Sequence, residues 1–446
     1  MEEKKKGVGQ TPDQQTADQD VYAPIKESDR VNWPTMLMIF VGMWVSMYSV
    51  NVGMAVGQSY SVRPAILATI LGYAIAGIFA ALISDAGQRT GLASYVLAKC
   101  PLGSVGQIMI ACLMFITIGM GSVGLQADTV ARSIAETFPQ IGYSPIMSGV
   151  VCAIMMVSAV LGVKYMGIVS WITMPLFFIV SIVATVLAVG RTGGFSAVMS
   201  IENSGYTFSQ VVFLNAGAWA GFVMLMPDVS RFLKKRKYVY TVIPIAFVIG
   251  SIPPVCGVIL GAALGQSMDT VFVSLGMGVI GLISIVGIGW TTNDNNAYTA
   301  GLALTTALYP FKRIARSKVT IIVGIVGVIG AMCGIGNLGF ITWISGFHGS
   351  FNMSFVGVLI AHFFVVAKDD GKFVQTKGLA GILAWLVSGL LTYFGVLPIP
   401  VVTNTALAFV LYLAFFYGIE KRIWGVNIVD RVEPPRIIAG GDSDQR

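Results

Sequence analysis

Long apolar runs alternate with short polar segments along most of the chain. A helix needs about 20 apolar residues to cross the roughly 30 Å hydrocarbon layer of a bilayer. Twelve runs come close to that length or exceed it, and each predicts one transmembrane helix. They lie near residues 35–57, 64–84, 103–127, 145–163, 166–190, 208–228, 239–264, 273–303, 317–338, 341–367, 377–395 and 400–418.

The basic residues predict how these helices are oriented. With twelve runs, 25 of the 28 Lys and Arg residues fall in the two terminal segments and in the loops after even-numbered runs. Lys and Arg collect on the cytoplasmic side of membrane proteins. The pattern therefore predicts a multi-pass protein of the plasma (inner) membrane with both termini in the cytoplasm. The net charge of +7 is then an orientation signal, and no nucleic-acid partner is expected.

Composition excludes several other classes of protein. The chain is 55% hydrophobic and 11% charged, whereas a soluble domain carries about 25% charged residues. The five cysteines are dispersed among apolar runs without metal-ligand spacing, and the two histidines cannot form a zinc site alone. No nucleophile–base pair is visible, so an enzyme is not expected. A channel is disfavoured because no pore loop is visible.

Three of the apolar runs contain polar residues that lipid could not accommodate. These residues must face protein, water or a ligand, because lipid supplies no hydrogen bonds. They are Gly42, Ser46, Tyr48, Ser49, Asn51 and Gly53 in the first run, Asn215–Gly221 with Trp219 in the sixth, and Trp290–Asn296 in the eighth.

The first and sixth runs are five helices apart. Many secondary transporters consist of two inverted five-helix repeats whose first helices are broken, with the binding site between the breaks. The glycine-rich interruptions predict this arrangement here. An all-α polytopic membrane transporter with a five-plus-five inverted repeat is therefore expected.

The eighth run carries groups that suit a coupling ion. A broken first helix would offer free carbonyl groups, and the hydroxyls of Thr291 and Thr292 would supply two further oxygens to sodium. Asp294 is an alternative carrier if protons drive transport. Trp219 favours a flat substrate ring. An amino-acid or amine symporter of the same architecture remains an alternative, because helix N-termini can bind a carboxylate.

Several segments resemble the cytosine-permease branch of the nucleobase–cation symporter family. They are Trp290-Thr-Thr-Asn-Asp-Asn, Gly87-x-x-Thr90-Gly91-Leu92, Asp228-x-x-Arg231-Phe232 and the region of Gly42. The resemblance implies a LeuT-like five-plus-five repeat with two added C-terminal helices. It also implies import of a nucleobase-like ring by a sodium- or proton-coupled symporter. A monomer in the lipid bilayer, without a cofactor other than the coupling ion, is expected.

The resemblance also assigns site residues by position. The sodium ligands it implies are the backbone carbonyls of Gly42, Ser46 and Ile288 and the hydroxyls of Thr291 and Thr292. The substrate-site positions are Trp219, Asn215, Ala218, Thr117, Met120 and Asn295. Thr117 and Met120 stand where the family has Gln-x-x-Trp, and Ala218 replaces a serine. These departures leave cytosine, other pyrimidines, purines or a hydroxymethyl-pyrimidine open as substrates.

The expected domain organisation follows from the runs and the repeats. A single transporter domain lies between two cytoplasmic tails. The predicted segments are an N-terminal tail at 1–32, the transporter domain at 33–419 (repeat one about 33–191, repeat two about 205–368, added helices about 377–419) and a C-terminal tail at 420–446.

Overall fold

Helices form nearly all of the secondary structure in the computed structural model, which describes residues 22–161, 163–367, 372–398 and 400–434. The helices of the first half are α1 (Trp33–Trp44), α2 (Met47–Ser59), α3 (Val62–Thr90), α4 (Ser94–Met114), α5 (Val123–Thr137), α6 (Pro145–Leu161), α7 (Val163–Arg191) and α8 (Phe195–Met199). A π-helical segment, Phe115–Ser122, joins α4 to α5.

The second half contains the remaining helices. They are α9 (Phe208–Met224), α10 (Met226–Ser230), α11 (Val239–Gly250), α12 (Ile252–Leu264), α13 (Met268–Ser274), α14 (Gly278–Leu308), α15 (Arg316–Met332), α16 (Leu338–Ala361), α17 (Leu379–Tyr393), α18 (Pro400–Phe415) and α19 (Lys421–Trp424). Two π-helical segments, His362–Val366 and Phe416–Glu420, extend α16 and α18.

Each predicted apolar run overlaps one of these helices or a pair of them. In the described part of the chain, six helical stretches are long and apolar enough to cross a membrane, and seven if the bent pair α1–α2 counts as one. The helices α6, α9 and α17 are apolar but shorter. These lengths support a multi-pass membrane protein, and the number twelve stays a prediction.

The first run is broken, as its polar residues predict. Helix α1 ends at Trp44, α2 begins at Met47, and the two axes are bent by 51°. Val45 and Ser46 between them have extended backbone. The hydroxyl of Ser46 accepts a hydrogen bond from the backbone N–H of Ser49 at 3.2 Å, which is the usual way for serine to begin a helix. The break places the start of α2 inside the protein.

The sixth run differs from the prediction, because its helix is not broken at Gly217 or Gly221. Helix α9 continues through both glycines and ends at Met224, and α10 follows with Pro227 in its first turn. The glycines serve helix packing instead: a Cβ at Gly217 would lie 2.6 Å from the carbonyl oxygen of Ser345. Small residues allow such close approach between membrane helices. Helix α9 is therefore held directly against α16.

The first broken helix is fixed in place by a similar contact. A Cβ at Gly57 would collide with the carbonyl oxygen of Val258, and one at Gly261 with that of Met54. Helix α2 and α12 therefore approach each other at backbone distance. This packing holds the start of α2 where α9, α14 and α16 also meet.

The chain contains two strands that an all-α prediction did not include. In the described residues, β1 (Phe373–Gln375) pairs antiparallel with β2 (Asn427–Val429). Glu420, at the start of the predicted C-terminal tail, is buried and accepts 2.7 Å hydrogen bonds from the N–H groups of Gly378 and Ala380. Beyond Glu420, the described segment is attached through the pairing of β2 with β1 and through the buried Val432, whereas residues 421–428 are exposed.

Part of the predicted N-terminal tail is also packed. Residues 1–21 lie outside the described residues. Tyr22 and Ile25 are buried, and the N–H of Val31 donates to the carbonyl of Phe232 at 2.7 Å. Part of the segment 22–32 therefore contacts the helices, and the tail boundary at residue 32 stays a prediction.

Candidate functional site

A narrow cavity lies where α2, α5, α9, α14 and α16 meet. The break between α1 and α2 and the π-helical segment before α5 both open onto it. The residues that line it are Ser46, Tyr48, Ile118, Ser122, Leu125, Gln126, Ala218, Gly221, Phe222, Thr292, Asn296, Ile344 and His348.

Several polar atoms in this lining are buried without a hydrogen-bond partner among the residues that the structure describes. They are Oε1 of Gln126, both amide atoms of Asn296 and Nε2 of His348. A buried polar group without a partner costs about 1–3 kcal/mol. A ligand with matching donors and acceptors would remove that cost. The unpartnered atoms make this cavity the candidate site for a polar ligand.

The lining carries no formal charge. Among the described residues that line it, none is Asp, Glu, Lys or Arg. Its polar groups are hydroxyls, two amides and one imidazole, which can act as donors and as acceptors. This set can recognise a ligand by the pattern of its hydrogen-bonding atoms and not by its charge.

An aromatic cluster adjoins the cavity. The ring of Trp219 contacts Trp44 edge-on, with centroids 5.3 Å apart, and Tyr73, with centroids 5.8 Å apart. Phe222 packs against Trp219 at 5.7 Å and is also one of the residues that line the cavity. The cluster therefore presents the ring of Phe222 to the cavity and holds Trp219 one ring further away.

The residues proposed to bind a cation lie around the break between α1 and α2. Ser46 and Thr292 both line the cavity. A Cβ at Gly42 would lie 3.0 Å from the sulfur of Met174 on α7, and the hydroxyl of Thr173, the preceding residue, lies 2.9 Å from that of Thr291. Two neighbouring residues of α7 thus contact α1 at Gly42 and α14 at Thr291. The three helices α1, α7 and α14 therefore meet in this region.

The hydroxyl groups in this region fit a hard cation. Thr291 Oγ1 donates to the carbonyl of Gly287 at 3.1 Å, and Thr292 Oγ1 donates to that of Ile288 at 2.8 Å. Each hydroxyl has one hydrogen and two lone pairs. With both hydroxyls donating in this way, Thr292 keeps two lone pairs for a cation and Thr291 keeps one, because the hydroxyl of Thr173 then donates to Thr291. Oxygen is the ligand that hard cations prefer.

Asp294 lies on a different side of α14 from the cavity lining. It is buried, and its Oδ1 accepts a 2.6 Å hydrogen bond from Ser158 on α6. The Ser158 hydroxyl accepts in turn from the indole N–H of Trp290 at 2.7 Å. In the described part of the chain Oδ2 has no hydrogen-bond partner. The carboxyl group therefore ties α14 to α6 and does not line the cavity.

Comparison with known proteins identifies relatives of this chain. A family model described as "Permease for cytosine/purines, uracil, thiamine, allantoin" matches residues 24–382. The cytosine permease of Escherichia coli K12 is 24% identical over 399 residues, which cover 87% of this chain and 92% of that protein. The match spans most of the chain.

This chain belongs to the cytosine/purine permease family.

Solved structures show the same fold. Mhp1, a nucleobase-cation-symport-1 family transporter, has a TM-score of 0.75 in a closed conformation with bromovinylhydantoin bound, at 18% identity and with 89% of this chain and 95% of that chain covered. Its inward-facing conformation has a TM-score of 0.71 at the same identity, with 89% and 94% covered. The expectation of a permease and not an enzyme is confirmed by the family match.

The substrate residues predicted for this permease occupy different places. Ala218 lines the cavity. Trp219 is buried in the aromatic cluster, and Asn215 donates to the hydroxyl of Thr69 at 3.2 Å and to the carbonyl of Val211 at 3.0 Å, which directs it to α3. Asn295 is half-buried and donates to the carbonyl of Thr291 at 3.2 Å. Of these four residues, only Ala218 lines the cavity.

The two positions predicted on the third run do not line the cavity. Thr117 is buried and donates to the carbonyl of Leu113 at 3.0 Å, whereas Met120 is 40% exposed. Both lie in the π-helical segment. A π turn has one more residue than an α turn, so it rotates the side chains around the helix axis. Ile118 and Ser122 face the cavity instead.

The sequence reasoning gave no site role to several residues that line the cavity, and it singled out the run that contains Asn296 without assigning Asn296 itself. The residues without an assigned role are Ile118, Ser122, Leu125, Gln126, Phe222, Asn296, Ile344 and His348. Gln126 and Asn296 had a signal, because each is an amide in an apolar run. Phe222 had none, since an apolar ring in an apolar helix is the norm. His348 was recognised only as unsuited to zinc.

Proposed function

We propose that this permease is a cation-coupled symporter that imports an uncharged nucleobase-like heterocycle by alternating access. The observation that carries the proposal is the uncharged cavity with unpartnered amide and imidazole atoms from three helices. Nucleobases present donors and acceptors at the edges of a flat, neutral ring. Such an edge can satisfy several of these atoms at once.

The relatives support the same class of substrate. The curated relative is named a cytosine permease, and the bound Mhp1 structure holds a hydantoin, which is also a small ring. In this chain a ring would lie against Phe222, with Trp219 behind it. Aromatic contact suits a planar heterocycle because both partners bury apolar faces. Cytosine, a purine and a hydroxymethyl-pyrimidine all fit this description.

The coupling ion proposed is sodium. Its ligands are the carbonyls of Gly42, Ser46 and Ile288 and the hydroxyls of Thr291 and Thr292. The shared neighbours on α7 support one common site for these groups. The carbonyl of Ile288 already accepts from Thr292, so it is the weakest of the proposed ligands. Proton coupling through Asp294 is the second candidate.

The alternative of an amino-acid or amine symporter is not favoured. An amine would need an acidic partner and a carboxylate a basic one or free N–H groups, and the described lining has no charged side chain. The N–H of Ser49 at the start of α2 is already bonded to Ser46. A charged ligand would therefore find no side chain of opposite charge in the described lining to offset the loss of its hydration.

The remaining features of the proposal concern the membrane. We propose twelve spans in a five-plus-five inverted repeat with two added helices, in the plasma membrane, with both termini cytoplasmic and the protein monomeric. The hydroxyl of Tyr48 bonds to that of Ser345 and lies 3.4 Å from the carbonyl of Ile341. This contact holds α2 against α16, and its opening would admit substrate.

Binding to the purified protein tests the proposal. Cytosine, uracil, adenine, hypoxanthine and hydroxymethyl-pyrimidine are titrated calorimetrically in sodium chloride and in choline chloride, with leucine and phenylalanine as controls. The expected result is binding of at least one heterocycle, strengthened by sodium, and no binding of the amino acids. Binding of an amino acid without any heterocycle would overturn it.

A further inference from the structure

The strongest observation that the family comparison does not explain is a histidine in the cavity. We propose that His348 is a specificity-determining residue that hydrogen-bonds one edge of the bound heterocycle, while Gln126 and Asn296 bond a second edge. The inference rests on the proposed function and narrows it. It selects rings that present polar atoms on two separate edges.

The placement of the imidazole supports a direct contact. His348 lies on α16, lines the cavity and is 5% exposed. Its Nε2 is buried and makes no hydrogen bond to any residue that the structure describes. A Cβ at Gly221 would lie 3.4 Å from Nδ1 and 3.5 Å from Cε1. The imidazole ring therefore packs beside α9 at this glycine, at a distance that a Cβ would bridge as ordinary van der Waals contact.

The unpartnered polar groups of the cavity belong to two walls. His348 is on the wall formed by α16 and α9, which approach closely at Gly217 and Ser345. Gln126 and Asn296 come from α5 and α14, which pack against each other. A ring with polar atoms on one edge would leave the other wall unsatisfied, at a cost of about 1–3 kcal/mol for each group. A ring with two polar edges satisfies both walls.

The second histidine of the same helical stretch provides the contrast. His362 is fully buried, and its Nδ1 lies 2.7 Å from the hydroxyl of Tyr412 on α18. Its Nε2, like that of His348, has no hydrogen-bond partner among the described residues, but His362 does not line the cavity. His362 therefore has a packing role, and the difference between the two histidines can be measured.

The test is a cycle between ligand and protein changes. The heterocycle that binds the parent protein most tightly is compared with its N-methyl and deaza analogues in the parent and in His348→Phe. We expect His348→Phe to weaken the parent heterocycle about 10- to 100-fold. In the parent protein, the affinity for at least one analogue should be lower than that for the unmodified heterocycle by a similar factor. In His348→Phe the two affinities should be equal, because the atom that the analogue lacks is the one that bonds His348.

Two control variants and a folding assay complete the cycle. His348→Gln, which keeps a donor and an acceptor, should bind within about fivefold of the parent, and His362→Phe should keep the parent's order of preference among analogues. If a thermal-unfolding assay shows that His348→Phe does not fold, His348→Leu replaces it in the cycle and His348→Gln remains the control. Additive losses for every analogue, or unchanged affinity in the variant, would overturn the proposal. Absence of any heterocycle binding to the parent would instead contradict the proposed function.

Discussion

The region proposed to bind the cation (Gly42, Ser46, Ile288, Thr291 and Thr292; the cation region) and the cavity proposed to bind substrate meet at Ser46 and Thr292 but differ in how their polar atoms are satisfied. In the cation region the hydroxyls of Thr291 and Thr292 donate to carbonyl groups of their own helix and still have a lone pair that could bind a cation. In the cavity, atoms of Gln126, Asn296 and His348 are buried without partners among the described residues. The hydroxyls of the cation region thus already have protein partners, whereas the unpartnered atoms of the cavity would gain partners from a ligand.

The largest effect is expected from the cation region. Thr291→Val with Thr292→Val keeps the shape of both side chains and removes two oxygens. A hydrogen bond to a charged group contributes about 1.5–3 kcal/mol, so two lost oxygens should weaken sodium at least about 100-fold. The measurement is the sodium concentration that gives half-maximal substrate binding.

The same helix offers a matched control for this pair. Thr305 and Thr306 are also adjacent and buried, and their hydroxyls donate to the carbonyls of Gly301 and Leu302 at 2.7 and 2.9 Å. Thr305→Val with Thr306→Val should leave the sodium dependence unchanged. Equal sodium dependence in both double variants would place the cation elsewhere.

The next effect separates ligand binding from stability. Gln126→Met should weaken the heterocycle about 10- to 100-fold, because one edge contact is lost. The same change should raise the free energy of unfolding without ligand by about 1 kcal/mol, since a buried acceptor without a partner is removed. Calorimetry and thermal unfolding measure the two quantities.

Gln107 is the matched control for that change. Its Nε2 donates to the hydroxyl of Tyr22 at 3.0 Å and to the carbonyl of Tyr95 at 2.9 Å. Gln107→Met should therefore lower stability and leave affinity unchanged. If Gln126→Met is destabilising and binds as the parent does, the cavity is not the substrate site.

A smaller effect is expected from conservative substitutions in the aromatic cluster. Phe222→Leu should weaken the heterocycle about 3- to 10-fold, because an aromatic contact contributes roughly 0.5–1.5 kcal/mol. Trp219→Phe should keep binding within about threefold, whereas Trp219→Ala should abolish it by collapsing the cluster. A tryptophan fluorescence titration follows each variant. A larger loss in Trp219→Phe than in Phe222→Leu would show that the indole itself contacts the ring.

The smallest effect is expected from Asp294→Asn. The amide keeps a hydrogen-bonding group for Ser158, and the side chain does not line the cavity. Sodium-dependent uptake into proteoliposomes should change by less than about threefold. If the variant instead loses uptake and the parent is driven by a proton gradient without sodium, the coupling ion is a proton.

The positions of the helices and the break in the first run could be predicted, because apolar length and a serine beside a glycine-rich stretch are local signals. The shared location of Thr291 and Thr292 followed from their adjacency on one helix. The course of α9 through Gly217 and Gly221 was not predictable, since glycine permits either a break or close packing. The contact with Ser345 decides between the two.

The cavity was harder to predict for physical reasons. Its lining comes from five helices, and the π-helical segment changes which residues of the third run face inward. Thr117 and Met120 were assigned by resemblance to the family, and neither of them lines the cavity. Asn215 and Asn296 look alike in sequence, and only their surroundings separate a packing amide from one that lines the cavity.

The most direct test of the account is the reciprocity of sodium and substrate binding in the parent protein. Two linked sites must change each other's affinity by the same factor. Calorimetric titration of the heterocycle with and without sodium, and of sodium with and without the heterocycle, measures both factors. We expect the two affinities to change by equal factors of at least about 10. Heterocycle binding that is tight and identical in sodium and in choline would contradict it.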